Sequence, residues 1–174
     1  QSEIISELRS DLVQFVLTGP SFAVDVSQGK PTALTLAGPN LPQCNALRDQ
    51  LSGNGIRVYS SDDLIGSQIG GALKNVIAIA CGIVAGLELG ASAQAALMTR
   101  GFAELARLGA AMGGQLETLS GLSGLGDLTL TCHSAESRNY SYGHSIGRTK
   151  SAPETGTFEG AKTAAAALAL AKWH

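Results

Sequence analysis

The chain has no basic cluster, no paired cysteines and no long uninterrupted apolar run, and each absence removes a class of function. Twelve Lys and Arg stand against 14 Asp and Glu in 174 residues, a formal net charge of -2. No run of five or more basic residues occurs, which argues against nucleic acid or an anionic membrane as the main partner. Recognition of a single phosphate group needs only one or two cations and stays open. Cys44, Cys81 and Cys132 are odd in number, far apart and without a CxxC pair, so neither a disulfide framework nor a zinc site is expected. They read as reduced cytosolic thiols, Cys81 as a small core residue. His133, His144 and His174 show no metal spacing and read as surface residues, so no metal is expected. The sequence contains no GxSxG, HExxH or phosphate-loop pattern. Val76 to Leu87, the longest uncharged apolar run, is too short and too glycine-rich to span a bilayer, and no signal peptide opens the chain. A soluble, cytoplasmic chain with no integral membrane segment is the expectation, with both ends reading as cut.

What is present suffices for a packed core, since 44% of residues are hydrophobic. Residues 1–60 read as α/β. Ser2 to Arg9 ends a helix, Leu12 to Leu17 is a strand running into the turn Thr18-Gly19-Pro20, and Pro31 to Ala37 is a second β run. Asn40 to Ser52 is helical, with Asn40 as N-cap and Pro42 in the first turn. Ile56 to Tyr59 is a third short strand. From residue 61 the pattern becomes helical. Ser61-Asp62-Asp63-Leu64 opens a helix reaching about Leu87, Ser92 to Met112 forms a second, a glycine-rich turn at Gly121–Gly126 leads into a third at Asp127, and Ala161 to Lys172 a last one. The fold expected is an α/β remnant (1–60) followed by an all-α domain (61–174).

One lysine stands where a lysine is out of place. Lys74 lies within Gly70-Gly71-Ala72-Leu73-Lys74-Asn75-Val76-Ile77-Ala78-Ile79-Ala80, an otherwise apolar helical stretch. Burying an ammonium group costs several kcal/mol unless it is paired. Such a lysine either reaches to water or serves as an acid/base group in a cleft. The same helix carries Gly66, Gly70, Gly71, Gly82 and Gly86, each costing about 1 kcal/mol relative to alanine. Gly66, Gly70 and Lys74 share one face, so these glycines either leave room beside the lysine or let another helix pack closely.

The second informative block runs from Gly121 to Asn139. Asp127 could cap the helix it opens, and Thr131 lies on its face at i+4. If that helix continues, Arg138 returns to the same face; if it breaks at Ser134, Ser137-Arg138-Asn139 opens a new helix whose N–H groups favour an anion. Either geometry brings together a carboxylate, a hydroxyl and a guanidinium. With Lys74 and its neighbour Asn75 they suit a small phosphorylated hydroxy or keto compound. Arg138 would grip phosphate, Asn139 and Thr131 would bond substrate oxygens, and Lys74, held by Asp127, would exchange the proton. A capped helix with surface charges is the competing reading. Gly19-Pro20-Ser21-Phe22-Ala23, a strand-to-helix turn, is a third place where a ligand could approach the backbone.

Taken in order, Gly19-Pro20-Ser21-Phe22-Ala23, Tyr59-Ser60-Ser61-Asp62-Asp63, Gly71-Ala72-Leu73-Lys74-Asn75-Val76, Gly124-Leu125-Gly126-Asp127-Leu128 and Ser137-Arg138-Asn139 closely resemble the bacterial-type NAD(P)-dependent sn-glycerol-3-phosphate dehydrogenases. The resemblance implies the end of a Rossmann-type nucleotide-binding domain followed by a helical, 6-phosphogluconate-dehydrogenase-like domain. It implies hydride transfer between NAD or NADP and the dihydroxyacetone phosphate/sn-glycerol 3-phosphate pair, for glycerophospholipid synthesis. It makes Lys74 the proton acceptor in glycerol phosphate oxidation. Gly19, Ser21, Asp127, Ser137, Arg138 and Asn139 become substrate contacts; Ala23, Arg138 and Glu159 become cofactor contacts.

Two departures follow. The chain lacks GxGxxG, and Gly53-Asn54-Gly55 followed by Ile-Arg-Val cannot form a pyrophosphate turn. The first βαβ unit and a second substrate-binding lysine would lie upstream of Gln1, so the chain alone is expected not to turn over. The stretch Gly147 to Phe158 is also shorter and less regular than the family's. Rival readings are a hydroxyacid or 6-phosphogluconate type of dehydrogenase and a non-catalytic helical module. The module would dimerise or bind a partner through its glycine-lined faces, which also make a homodimer reasonable.

Overall fold

The structure is a computed structural model that describes residues 2–151, 160 and 163–164. Its β layer is one small mixed sheet in the order β1-β2-β3: β1 Val16–Thr18, β2 Thr32–Ala37 and β3 Ile56–Ser61. β1 runs antiparallel to β2, with Val16 opposite Ala37, and β2 runs parallel to β3, with Thr32 opposite Ile56. A parallel pair needs a crossover, supplied by helix α3, Leu41–Leu51. Its start follows the sequence closely: Asn40 Oδ1 accepts from Gln43 N at 3.0 Å, and Pro42 occupies the first turn, where a missing N–H costs nothing. Leu34, Leu36 and Ala37 of β2 are all buried, as befits the central strand.

The strand expected at residues 12–17 is instead three residues long and begins at Val16. β2 ends at Ala37, and Pro39 just beyond has no N–H with which to extend a ladder. Leu12 and Val13 join no strand ladder and remain exposed. Helix α1, Ser2–Leu8, precedes this segment, and the short α2, Ala23–Ser27, follows the Gly19-Pro20 turn.

Beyond β3 the described chain is helical: α4 Leu64–Gly86, α5 Ala91–Ala111, α6 Leu116–Ser120, a π-helical turn Leu122–Gly126, α7 Asp127–His133 and α8 Arg138–Thr149. The helix expected at Ala161 to Lys172 falls almost wholly outside the described residues, as do Glu159 and His174. The π turn replaces what reads in sequence as a glycine-rich turn at Gly121–Gly126, and α6 occupies a stretch to which the sequence reading assigned no element. α4 is the axis on which α5, α7, α8 and the π turn pack. By length and composition alone its 23 residues could cross a bilayer, which corrects the measure taken from Val76–Leu87. That run stops counting at Lys74, whereas the helix continues through it. Here the packed neighbours and the charge within α4 make it a core helix.

α4 and α8 meet backbone to backbone. A Cβ on Gly82 would stand 2.1 Å from the Tyr140 carbonyl oxygen, and one on Gly86 2.2 Å from that of His144. Reciprocally, one on Gly143 would stand 2.0 Å from the Ile79 oxygen. Close packing thus accounts for these glycines. Gly66 and Gly70 leave no free room beside Lys74 either. The Asp63 carboxylate fills the space at Gly66, and the Ser123 backbone fills that at Gly70.

The core between α4 and α7 is built from Ala78, Cys81, Leu128 and Cys132, with Ile77, Leu97, Met98, Phe102 and Tyr140 around it. All three cysteines are unpaired and buried. A hydrogen bond with Cys81, together with burial, holds the Cys132 thiol well above the usual thiol range. His133 is exposed, but His144 is half-buried because it stacks on Tyr140 one turn earlier, with ring centroids 6.4 Å apart.

Candidate active site

Lys74 projects from α4 toward the start of α7, where its Nζ donates to Asp127 Oδ2 at 2.5 Å. The lysine side chain keeps 21% of its exposure and the aspartate side chain 4%, so the carboxylate is withdrawn from water while the ammonium keeps partial access to it. A buried ion pair is poor evidence of stabilisation, because desolvating both charges offsets most of their attraction. Its placement calls for a chemical explanation.

Asp127 does not cap α7. Gly126 before it is already helical, at φ -61° and ψ -50°, because the π turn runs directly into α7 and leaves no open helix start. The carboxylate is free to turn to Lys74 instead. Thr131 lies on the same face, and its hydroxyl donates to the Asp127 carbonyl oxygen at 2.6 Å, with a longer 3.4 Å contact to Oδ1. Burial pushes the Asp127 carboxyl above its ordinary range; the Lys74 ammonium and the Thr131 hydroxyl oppose this without cancelling it. π-helical turns recur at functional sites, and this one packs its Ser123 backbone directly on Gly70, where a Cβ would come to 2.4 Å from the Ser123 carbonyl oxygen.

The Gly19-Pro20 turn reaches the same place from the sheet. Thr18 Oγ1 would lie 3.4 Å from a Cβ on Gly71, and Pro20 ring carbons 3.6 Å from one on Gly126, the immediate predecessor of Asp127. Gly19 is buried at φ +142°, and a Cβ there would press to 3.1 Å on the Ala33 carbonyl oxygen, so glycine is required. Ser21 is exposed, its hydroxyl donating weakly to the Gly19 carbonyl at 3.4 Å. Ala23 is the exposed first residue of α2.

Of the two geometries open for residues 134–139, the chain adopts the break. α7 ends at His133, Ser134 is extended, and Ser137 caps α8 by accepting from Tyr140 N at 3.2 Å. Arg138 is the exposed first residue of α8, beside the N–H groups of a helix start. Asn139 is buried, and its Oδ1 accepts from Gly160 N at 3.1 Å. Gly160 in turn lies against α4, where a Cβ would come to 2.5 Å from the Asn75 carbonyl oxygen. Asn75, next to Lys74, is thereby linked to Asn139 through a residue from beyond α8. Sequence reading missed this role of Gly160, as it missed Ser123. Neither contact leaves a signal beyond a glycine or serine among many.

The arrangement places a lysine–aspartate pair, its carboxylate buried, beside a close-packed glycine turn and near a helix start bearing a guanidinium. It suits proton exchange on an oxygen of a small anionic compound.

Comparison with known proteins supplies the context. The family described as "NAD-dependent glycerol-3-phosphate dehydrogenase C-terminus" matches residues 63–174. A glycerol-3-phosphate dehydrogenase [NAD(P)+] from Cereibacter sphaeroides is 54% identical over 159 residues, 91% of this chain and 52% of the relative. One from Mesorhizobium japonicum is 53% identical over 170 residues, 98% of this chain and 50% of the relative. The crystal structure of glycerol-3-phosphate dehydrogenase from Coxiella burnetii superposes with a TM-score of 0.93 at 40% identity, covering 99% of this chain and 55% of that one. The chain spans about half the length of the curated relatives it matches.

Proposed function

The chain belongs to the NAD-dependent glycerol-3-phosphate dehydrogenase family, and from that premise we propose that its full-length protein interconverts sn-glycerol 3-phosphate and dihydroxyacetone phosphate with NAD or NADP. The observation carrying this reading is the 2.5 Å contact between Lys74 Nζ and Asp127 Oδ2 across 53 residues of sequence. Reducing the ketone leaves an alkoxide that needs a proton, and Lys74 delivers it; in the reverse direction Lys74 removes the hydroxyl proton. Asp127 orients the ammonium and Thr131 steadies Asp127. The α8 start takes the phosphate through Ser137, Arg138 and Asn139, since a guanidinium and the positive end of a helix both favour a dianion. Gly19, Ser21 and Asn75 complete the substrate's surroundings.

A nicotinamide, when bound, supplies or accepts the hydride. Ala23 and Arg138 are the described residues that would hold it, and Glu159 lies outside them. The chain offers no pyrophosphate cradle among its described residues. Gly53-Asn54-Gly55 is consumed by a tight turn in which Gly53 and Ile56 exchange both backbone hydrogen bonds at 2.9 Å. Residues 1–60 would then be the end of the nucleotide-binding domain and 61–174 the substrate domain. A cytoplasmic location and glycerophospholipid synthesis as the destination of the product belong to the same proposal, and nothing in the charge pattern calls for nucleic acid. The glycines of α4 that suggested a homodimer are covered within the chain, Gly82 and Gly86 by α8, Gly66 by Asp63 and Gly70 by Ser123, and so no longer argue for one.

The test is NADPH consumption with dihydroxyacetone phosphate, using a chain completed upstream to the length of the relatives, alongside Lys74→Ala. Turnover that collapses in the variant supports both reaction and role. Turnover that survives discards Lys74 as the acid, and an inactive, folded wild type discards the substrate. The 174 residues alone are expected to consume no NADPH, and detectable turnover would overturn that expectation.

A further inference from the structure

Asp63 stands one residue before α4 and caps it, Oδ1 accepting from Gly66 N at 2.8 Å. Its second oxygen, Oδ2, accepts from Gln115 N, also at 2.8 Å, at the start of α6. One carboxylate, 5% exposed, thus satisfies N–H groups at two helix starts separated by 52 residues of sequence. Close approach is built in. A Cβ on Gly66 would overlap the Asp63 carboxylate at 2.2 Å, and one on Gly114 would come to 2.9 Å from Gly66 Cα.

The same face of α4 continues the contact. Asp63, Gly70, Lys74 and Cys81 follow at intervals of seven, four and seven residues, a single stripe on a helix. The chain opposite meets them in order: Gln115 bonds Asp63, Ser123 lies on Gly70, Asp127 pairs with Lys74 and Cys132 bonds Cys81. Between Gln115 and Asp127 stand only a five-residue helix and a five-residue π turn, too short to hold shape without anchors. The distance between the Lys74 ammonium and the short Asp127 side chain depends on where α7 begins. The Asp63–Gln115 contact is the first anchor upstream of that point.

We propose that Asp63 is a positioning residue that, through Gln115 and the π turn, sets Asp127 in register with Lys74. The proposal rests on the reading of Lys74 as the proton donor, and its test separates the two. In the completed chain, Asp63→Ser keeps a cap for Gly66 but is too short to reach Gln115. Gln115→Pro removes the donor, at a backbone φ of -83° that proline tolerates, and its ring carbon displaces the Asp63 carboxylate, so it breaks the contact from the other side. Each variant leaves a buried polar group without its partner, so both are expected to melt somewhat below the wild type yet stay folded at assay temperature. Their kcat is expected to fall at least tenfold, while the KM for dihydroxyacetone phosphate moves far less. Asp63→Ala, which also loses the cap, should melt lower than Asp63→Ser. A second readout needs no turnover: acetylation of Lys74 by acetic anhydride at fixed pH, normalised to the exposed Lys30, is expected to change at least threefold in Asp63→Ser and Gln115→Pro. If both variants match the wild type in Lys74 labelling, the proposal is overturned. If labelling changes but the wild type ignores dihydroxyacetone phosphate, the positioning role stands and the reaction falls. Should Asp63→Ser fail to fold, Gln115→Pro alone decides.

Discussion

The two halves of α4 solve opposite problems with the same residue type. In the C-terminal half, Gly82 and Gly86 press against α8, and Gly143 answers from the other side, so backbone meets backbone without a charged group. In the N-terminal half, Gly66 and Gly70 admit a carboxylate and a π turn, and the facing residues are Asp63, Ser67 and Lys74. One half gains dispersion contacts and apolar burial; the other holds desolvated polar groups that stabilise little. Glycine in a helix therefore does not identify a site by itself. What lies opposite it does.

The sharpest way to break this comparison is to remove the charge from the second half. Lys74→Ala in the completed chain is expected to lower turnover by about 10²–10⁴-fold, the range for a positioned acid/base group. Its melting temperature should fall as well, because the Asp127 carboxylate, 4% exposed, is left buried without its cation. A large loss of stability with modest loss of turnover would reverse the assignment of the two halves.

The next change strikes the first half. Gly143→Ala gains helix propensity of about 1 kcal/mol, but the new methyl would stand 2.0 Å from the Ile79 carbonyl oxygen. A backbone oxygen inside a packed helix pair cannot rotate aside as a side chain does. Overpacking is expected to win by a net of about 1–3 kcal/mol, read as a fall in the urea midpoint without the collapse of turnover seen for Lys74→Ala. An unchanged midpoint would mean that the two helices can slide apart at little cost.

These halves were not equally legible in the sequence. Lys74 announced itself because a charge interrupts an apolar run, and Asn40 and Asp63 because capping chemistry is local. The break at Ser134 was visible only as one of two options, since both kept Arg138 near the site. Asp127 read as a helix cap, yet whether a helix starts at residue 127 depends on the π turn before it, which packs on Gly70 far upstream. β1 was misplaced for a related reason: its limits are set by Pro39 on its partner, and Leu12 and Val13 have the same β character as the residues that pair. His144 looked like surface because stacking on Tyr140 leaves no mark on composition. Local chemistry was readable; dependence on a distant partner was not.

The smallest expected effect tests the electrostatics of the second half most directly. Burial outweighs Lys74 and Thr131 at Asp127, so its folded-state carboxyl titrates above the unfolded one. A raised folded value means that the group's contribution to stability is fully present below the unfolded value, ordinarily near pH 4, and is lost as pH rises through the folded value. Asparagine of the same shape does not titrate. The stability of Asp127→Asn minus that of the wild type should therefore shift in favour of the variant from about pH 4 to pH 7, by at most about 1.4 kcal/mol for each pH unit crossed. Any constant cost of losing the Lys74 contact drops out of that slope. Urea titrations at four or five pH values measure it. A slope of the opposite sign would mean that the lysine dominates the carboxylate's surroundings, and the pair would then stabilise the fold in the manner assigned here only to the glycine half of α4.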